Sequence, residues 1–156
     1  MQAQPSKFVP ALWGGVLIGV INGIPFLNII NCACCIGIIG GGLLAVYLYR
    51  RELDPGQPVT MSEGAALGLL AGLIGAVIAG VLGAIFSTAA FEFLYRISEY
   101  IDDSEIEALL HNIDPSLLSG GLVFFGFFLS LIVDGLFGVL GGLLGVSFFG
   151  GARTEA

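Results

Sequence analysis

Positive charge is scarce in this 156-residue chain: five Lys and Arg stand against twelve Asp and Glu, a formal net charge of −7. No basic cluster exists to neutralise phosphates, which excludes nucleic acid as a partner. Histidine occurs once, at His111. With a single histidine there is no HExxH zinc motif, and no Ser/His/Asp set or phosphate-cradling glycine loop ahead of a polar helix is present either. These absences predict a protein that is not an enzyme and carries no cofactor, metal or catalytic residue. Charge of either sign is also missing from most of the chain. Charged residues make up 11% of it, where a soluble domain carries about 25%. Asp, Glu, Lys, Arg and His are absent from 8–49 and from 64–91, and between 115 and 152 the sole charge is Asp134.

Apolar residues and glycine fill these gaps: 56% of the chain is hydrophobic and 25 residues are glycine. Uncharged runs of about 18 residues or more read as membrane spans, since about 20 helical residues cross a ~30 Å hydrocarbon core. Lipid offers the backbone no hydrogen bonds, so such runs are helices or closed barrels. They lack the alternation of barrel strands. The expected fold is therefore all-α: one polytopic membrane domain over 1–156, with four transmembrane helices and an amphipathic segment between helices three and four. The first apolar run is too long for the h-region of a cleaved signal, and no small-x-small site follows it. Asn31 ahead of Cys32 argues against a lipoprotein signal.

The run from Phe8 to Tyr49 is 42 residues, or about 63 Å as one straight helix, so it must turn back. "NGIP" at 22–25 is the strongest breaker, with "NCACC" at 31–35 a second candidate. Spans are expected at about 9–24 and 34–51. "RRELDPGQPVT" (50–60) reads as an aqueous loop, and "TMSE" (60–63) as a capping box that opens a third span over about 62–86 or beyond. Segment 91–114 spaces Phe93, Leu94, Ile97 and Ile101 at helical intervals among acidic residues, which predicts amphipathic helix on the membrane surface or over the bundle. A second capping box, "SEIE", stands at 104–107. Asp114-Pro115 reads as an N-cap and first helical position. The fourth span is expected over 117–149, long enough to tilt or to kink at Asp134-Gly135; a re-entrant pair broken there is the alternative. Lys7, Arg50, Arg51 and Arg153 fall on one side of four spans and Arg96 on the other. The positive-inside rule then puts both termini in the cytoplasm.

Glycines recur four apart in every span: Gly15, Gly19 and Gly23; Gly37 and Gly41; Gly64, Gly68 and Gly72; Gly138 and Gly142. Gly75, Ala79 and Gly83 form a neighbouring stripe, and Gly141 pairs with Gly145. Such GxxxG faces let backbones approach closely in lipid. They serve packing within one bundle, or a surplus stripe on helix three joins subunits in a homo-oligomer or binds other membrane proteins.

Asp134 is the sharpest chemical feature, since an intramembrane carboxylate is costly and often marks an ion, proton or substrate path. Ser130, one turn earlier, is placed to hydrogen-bond it. The bland alternative seats Asp134 at the head-group boundary or at a kink. Cys32, Cys34 and Cys35 form a thiol cluster with C-x-C-C spacing, unlike the C-x₂₋₄-C of zinc sites. They read first as small buried hydrophobes, then as a disulfide or intersubunit link, and last as metal or redox ligands. The acidic residues of 92–114 lack calcium-loop spacing and read as a solvated face. Asn22, Asn28 and Asn31 suit turn caps or cross-helix bonds. Trp13, Tyr47 and Tyr49 suit an interfacial belt on the cytoplasmic side.

An apolar hairpin, "YLYRRE", a polar loop, "TMSEGAALGLLAGLIGAVIAGVLGAIF", an acidic stretch and a last span follow one another. This order resembles families of small four-span bacterial membrane proteins known only as domains of unknown function. The resemblance implies a bacterial or archaeal plasma (inner) membrane and carries over no functional residues. The function expected first is a structural or assembly subunit in the lipid bilayer that packs through glycine faces. The alternative is a small oligomeric channel or transporter with Asp134 in its path.

Overall fold

The computed structural model describes residues 5–24, 35–100 and 121–151. The described residues form four α-helices and no strand: α1 (Phe8–Gly23), α2 (Ile36–Glu52), α3 (Met61–Tyr100) and α4 (Gly121–Phe149). The class expected from the sequence is therefore found, all-helical.

Local chemistry accounts for the ends. Ser6 Oγ accepts from Phe8 N–H at 3.3 Å, and Pro10 sits in the first turn of α1, where its missing N–H costs nothing. The helix stops at Gly23; Ile24 is extended, as the residue ahead of a proline prefers. Cys35, in the left-handed region (φ 52°, ψ 24°), precedes α2, and its carbonyl accepts from Ile38 and Ile39. The last turn of α2 carries Arg50 and Arg51, favourable beside the negative end of the helix dipole. The capping box that opens α3 is formed as the sequence predicts. Thr60 N–H donates to Glu63 Oε2 at 3.0 Å, and Glu63 N–H donates to Thr60 Oγ1 at 3.3 Å.

α1 packs on α3, α3 on α4, α4 on α2 and α2 on α1, with α2 also touching α3. The register is read from small residues. On α1, Gly15, Gly19 and Gly23 receive Ile74, Ile78 and Leu82 of α3, so these two helices run parallel. Gly64, Gly68 and Gly72 of α3 meet Gly142, Gly138 and the backbone of Asp134-Gly135, which makes α3 and α4 antiparallel. Gly14 meets Gly41 and Ala45 across α1 and α2. Gly141 meets Ile39, and Gly145 meets Val46, across α4 and α2. Ala11, Ile18, Ala45, Val46, Tyr49, Leu67 and Ala71 are fully buried between the helices.

The structure departs from the sequence reading at three points. Two helical segments, Met61–Phe86 and Phe124–Phe149, are long and apolar enough to cross a membrane, where four were expected. α1 has 16 residues and α2 has 17, or about 24 and 26 Å, and the charged end Arg50–Glu52 shortens the apolar part of α2 further. Second, residues 91–100 of the expected separate amphipathic segment continue α3, which runs 40 residues without a break. No proline falls between 61 and 100 to end it. The rest of that segment, 101–114, with the second capping box and His111, lies outside the described residues, as do Asp114-Pro115 and the expected start of the fourth span at 117–120. α4 is continuous through Asp134-Gly135, one helix as first expected rather than the broken re-entrant pair given as the alternative. Third, Tyr49 is fully buried and so is not part of an interfacial belt, whereas Trp13 and Tyr47 are exposed.

Candidate functional site

Asp134 lies midway along α4 and is 3% exposed. Two glycines make that burial possible. Gly72 lacks a side chain, so α3 rests directly on the backbone of 134–135; a Cβ added at Gly72 would lie 3.0 Å from the Cα of Gly135. Gly135 is itself buried at the same crossing.

The carboxylate has two recorded partners. Ser130, one turn back on α4, donates from Oγ to Oδ2 at 3.0 Å, the bond its i−4 spacing predicts. Asn22, near the end of α1, donates from Nδ2 to both Oδ1 and Oδ2 at 3.3 Å each. The amide thus straddles the carboxylate. It reaches that position because Gly15, Gly19 and Gly23 let α1 settle against Ile74, Ile78 and Leu82, so the glycine face of one helix sets the height of a polar group that serves another. The sequence marks Asn22 as able to bond across helices; that its partner is Asp134 appears only in three dimensions. Both partners are neutral, and both are half-buried.

A second polar cluster closes the opposite end of the bundle, about 22 Å from Asp134 along α4. Glu63 joins three helix ends there: Lys7 Nζ lies 3.4 Å from Oε1, the Tyr49 hydroxyl donates to Oε1 at 3.5 Å, and the Thr60 hydroxyl donates to Oε2 at 2.9 Å. Arg50, 3% exposed, is held by backbone carbonyls. Its Nε donates to Gly151 at 3.2 Å, Nη1 to Asp54 at 3.3 Å and Nη2 to Pro55 at 3.0 Å. Val59 N–H donates to the Gly150 carbonyl at 3.1 Å. The start of α1, the α2–α3 loop and the end of α4 therefore share one end of the molecule. Sequence reasoning missed Tyr49 and Arg50 as buried groups, because nothing in the local pattern separates them from the exposed Tyr47 and Arg51.

Of the thiol cluster, Cys35 is described: it is half-buried and packs against the hydrophobic core. Cys32 and Cys34 lie outside the described residues, as do Asn28 and Asn31. Among the described residues, no group of three or more His, Cys, Asp or Glu side chains is placed to hold a metal ion. The glycine faces are occupied by neighbours in the same chain: Gly15, Gly19, Gly23, Gly41, Gly64, Gly68, Gly72, Gly138 and Gly142 each have another helix within contact distance of a Cβ. Gly75, on the stripe suggested for subunit contact, faces Ile18 of α1, whereas Gly83 has nothing within 4 Å. Gly37 is half-buried in the first turn of α2. Comparison with protein-family models, with curated proteins and with solved structures finds no match for this chain.

Proposed function

We propose that the chain is a multi-pass membrane protein with all four helices in the bilayer, and that it acts as a small channel or transporter, alone or as a homo-oligomer, with a cation path through Asp134. The outer surface supports the membrane reading. Leu12, Trp13, Leu17 and Val20 on α1, Leu69, Leu70, Leu73 and Val77 on α3, and Ile132, Leu136, Leu140 and Leu144 on α4 are all exposed. That is a far larger apolar surface than a water-soluble monomer presents. α1 falls about 6 Å short of a ~30 Å core and the apolar part of α2, 36–49, about 9 Å short, a mismatch met by local thinning of the bilayer. The shared end that holds Lys7, Arg50 and Arg51 is assigned to the cytoplasm by the positive-inside rule. The plasma (inner) membrane is the one that the resemblance to small bacterial four-span proteins implies.

One observation carries the transport reading: a carboxylate buried midway along an apolar helix, held by neutral donors from two helices. Such a group is costly to keep unless it serves a path. The test is ion flux into liposomes that contain the purified protein. Asp134→Asn is expected to lower flux at least tenfold and Ser130→Ala to lower it less. Unchanged flux in Asp134→Asn would remove the residue from the path, and no flux in the parent would sink the transport reading.

A second reading, a structural or assembly subunit, keeps one specific support. Gly83 and Gly126 have nothing within 4 Å, and they lie among the exposed Val81, Ile85, Phe124, Phe125 and Phe128. Native mass in detergent decides: a strict monomer excludes assembly of copies through this surface.

A further inference from the structure

We propose that the ligand of the Asp134 site is a proton, and that the Asn22 amide turns over to follow its binding and release. The use of that proton in transport rests on the reading above; its binding does not.

The geometry favours a proton over a metal cation. A hard cation needs about six oxygen ligands at its own contact distance. Around Asp134 the recorded partners are an amide NH₂ and a hydroxyl, both donating toward the carboxylate oxygens. The backbone of α3 at Gly72 is pressed against 134–135. A proton needs no added volume. As described, the site suits the carboxylate: the Asn22 amide nitrogen donates to both oxygens, and Ser130 donates to Oδ2. When a proton from water binds Oδ1, the site passes from charge −1 to neutral and Oδ1–H becomes a donor. An asparagine side chain carries an acceptor opposite its donor. A half-turn of the Asn22 amide presents Oδ1 of Asn22 to that new donor, and Ser130 keeps its bond to Oδ2. In both states a donor faces an acceptor between Asp134 Oδ1 and the Asn22 amide, and one proton separates them.

Among the described residues, no fixed charge is recorded at the site to hold it in either state. α1 contains no Asp, Glu, Lys, Arg, His, Cys or Tyr. α2 contributes Cys35 at its start and Tyr47, Tyr49, Arg50, Arg51 and Glu52 toward its far end. α3 contributes Glu63 in its first turn and Glu92, Tyr95, Arg96, Glu99 and Tyr100 beyond residue 91. Within α4 Asp134 is the one titratable group. Asn22 and Ser130 are half-buried where Asp134 is 3% exposed, so its two recorded partners lie nearer the surface than the carboxylate does. Asn22 is a positioning residue for the proton.

Infrared difference spectra of the purified protein in lipid, recorded across a pH series, test the idea. A carboxylic C=O band that grows as pH falls is expected. It should shift on labelling with carbon-13 aspartate and vanish in Asp134→Asn. Replacing choline chloride with sodium chloride should leave its midpoint in place, and Asn22→Leu should move the midpoint by roughly one pH unit or more, with Asn22→Gln restoring part of the shift. A midpoint that sodium displaces would make the ligand a metal cation, and an Asp134 band that never titrates would remove proton binding; either overturns the proposal. An unmoved midpoint in folded Asn22→Leu would overturn the role of the amide. Absence of flux in the parent protein with titration intact counts against the transport reading alone.

Discussion

At Gly68 the carbonyl of Gly138 occupies the space a side chain would need, and at Gly142 the carbonyl of Gly64 does the same. The obstacle in each case is backbone, which cannot rotate away. Gly68→Ala and Gly142→Ala are therefore expected to destabilise the bundle by about 1–3 kcal/mol each, read as earlier unfolding in mixed detergent micelles. Gly83→Ala meets open space and should raise stability by up to about 1 kcal/mol, because alanine is the better helix former. The i, i+4 glycine spacing is plain in the sequence, but which glycine meets backbone and which meets nothing is decided by the partner helix. Cys35 is a second case. Its left-handed backbone (φ 52°) is strained for any residue with a Cβ. Cys35→Gly should hold stability within about 1 kcal/mol of the parent, since relief of strain offsets lost packing, whereas a β-branched residue such as Cys35→Ile should lower it further.

Among the elements, the α2–α3 loop and the end of α4 are joined through one guanidinium. Arg50 satisfies three carbonyls that belong to Gly151, Asp54 and Pro55. Arg50→Ala leaves them without that donor and is expected to cost about 2–3 kcal/mol. Hydrogen exchange at residues 54–60 and 146–151 should rise together. Arg50→Lys should restore little, since an ammonium cannot present the planar fork of donors. The arginine pair at 50–51 is visible in the sequence, but burial of one and exposure of the other follows from which face of α2 meets α4. The long α3 shows the same limit. Its start is legible in "TMSE", because a capping box is local chemistry. Its fusion with 91–100 was not, because the change from apolar to amphipathic pattern at 91 alters which solvent each face prefers without interrupting the backbone ladder.

For the whole molecule, the contacts of Arg50 with Gly151 and of Val59 with Gly150 bring the α2–α3 loop and the end of α4 to one side. Gly56→Cys and Gly151→Cys both replace residues with open space around them. In a background without the native cysteines, the two should react with an impermeant thiol reagent from the same side of sealed vesicles. If the charge bias sets orientation, that side is the cytoplasmic one. Opposite reactivity would break the arrangement of helices, and shared reactivity from outside would reverse the orientation only.

Sequence alone determined that the chain is helical, and it carries the expectation of an apolar medium. Long uncharged runs without alternation leave the backbone no partner but itself, and that constraint needs no knowledge of neighbours. It also singled out Asp134 and Ser130, whose bond spans one turn of one helix. Only the tertiary structure decided that Asn22, 112 positions away, completes the site, and that the glycine faces in contact are spent within the chain. Both depend on how far each helix slides along the next before small residues and carbonyls come into contact, a distance set by packing between segments that no local pattern records.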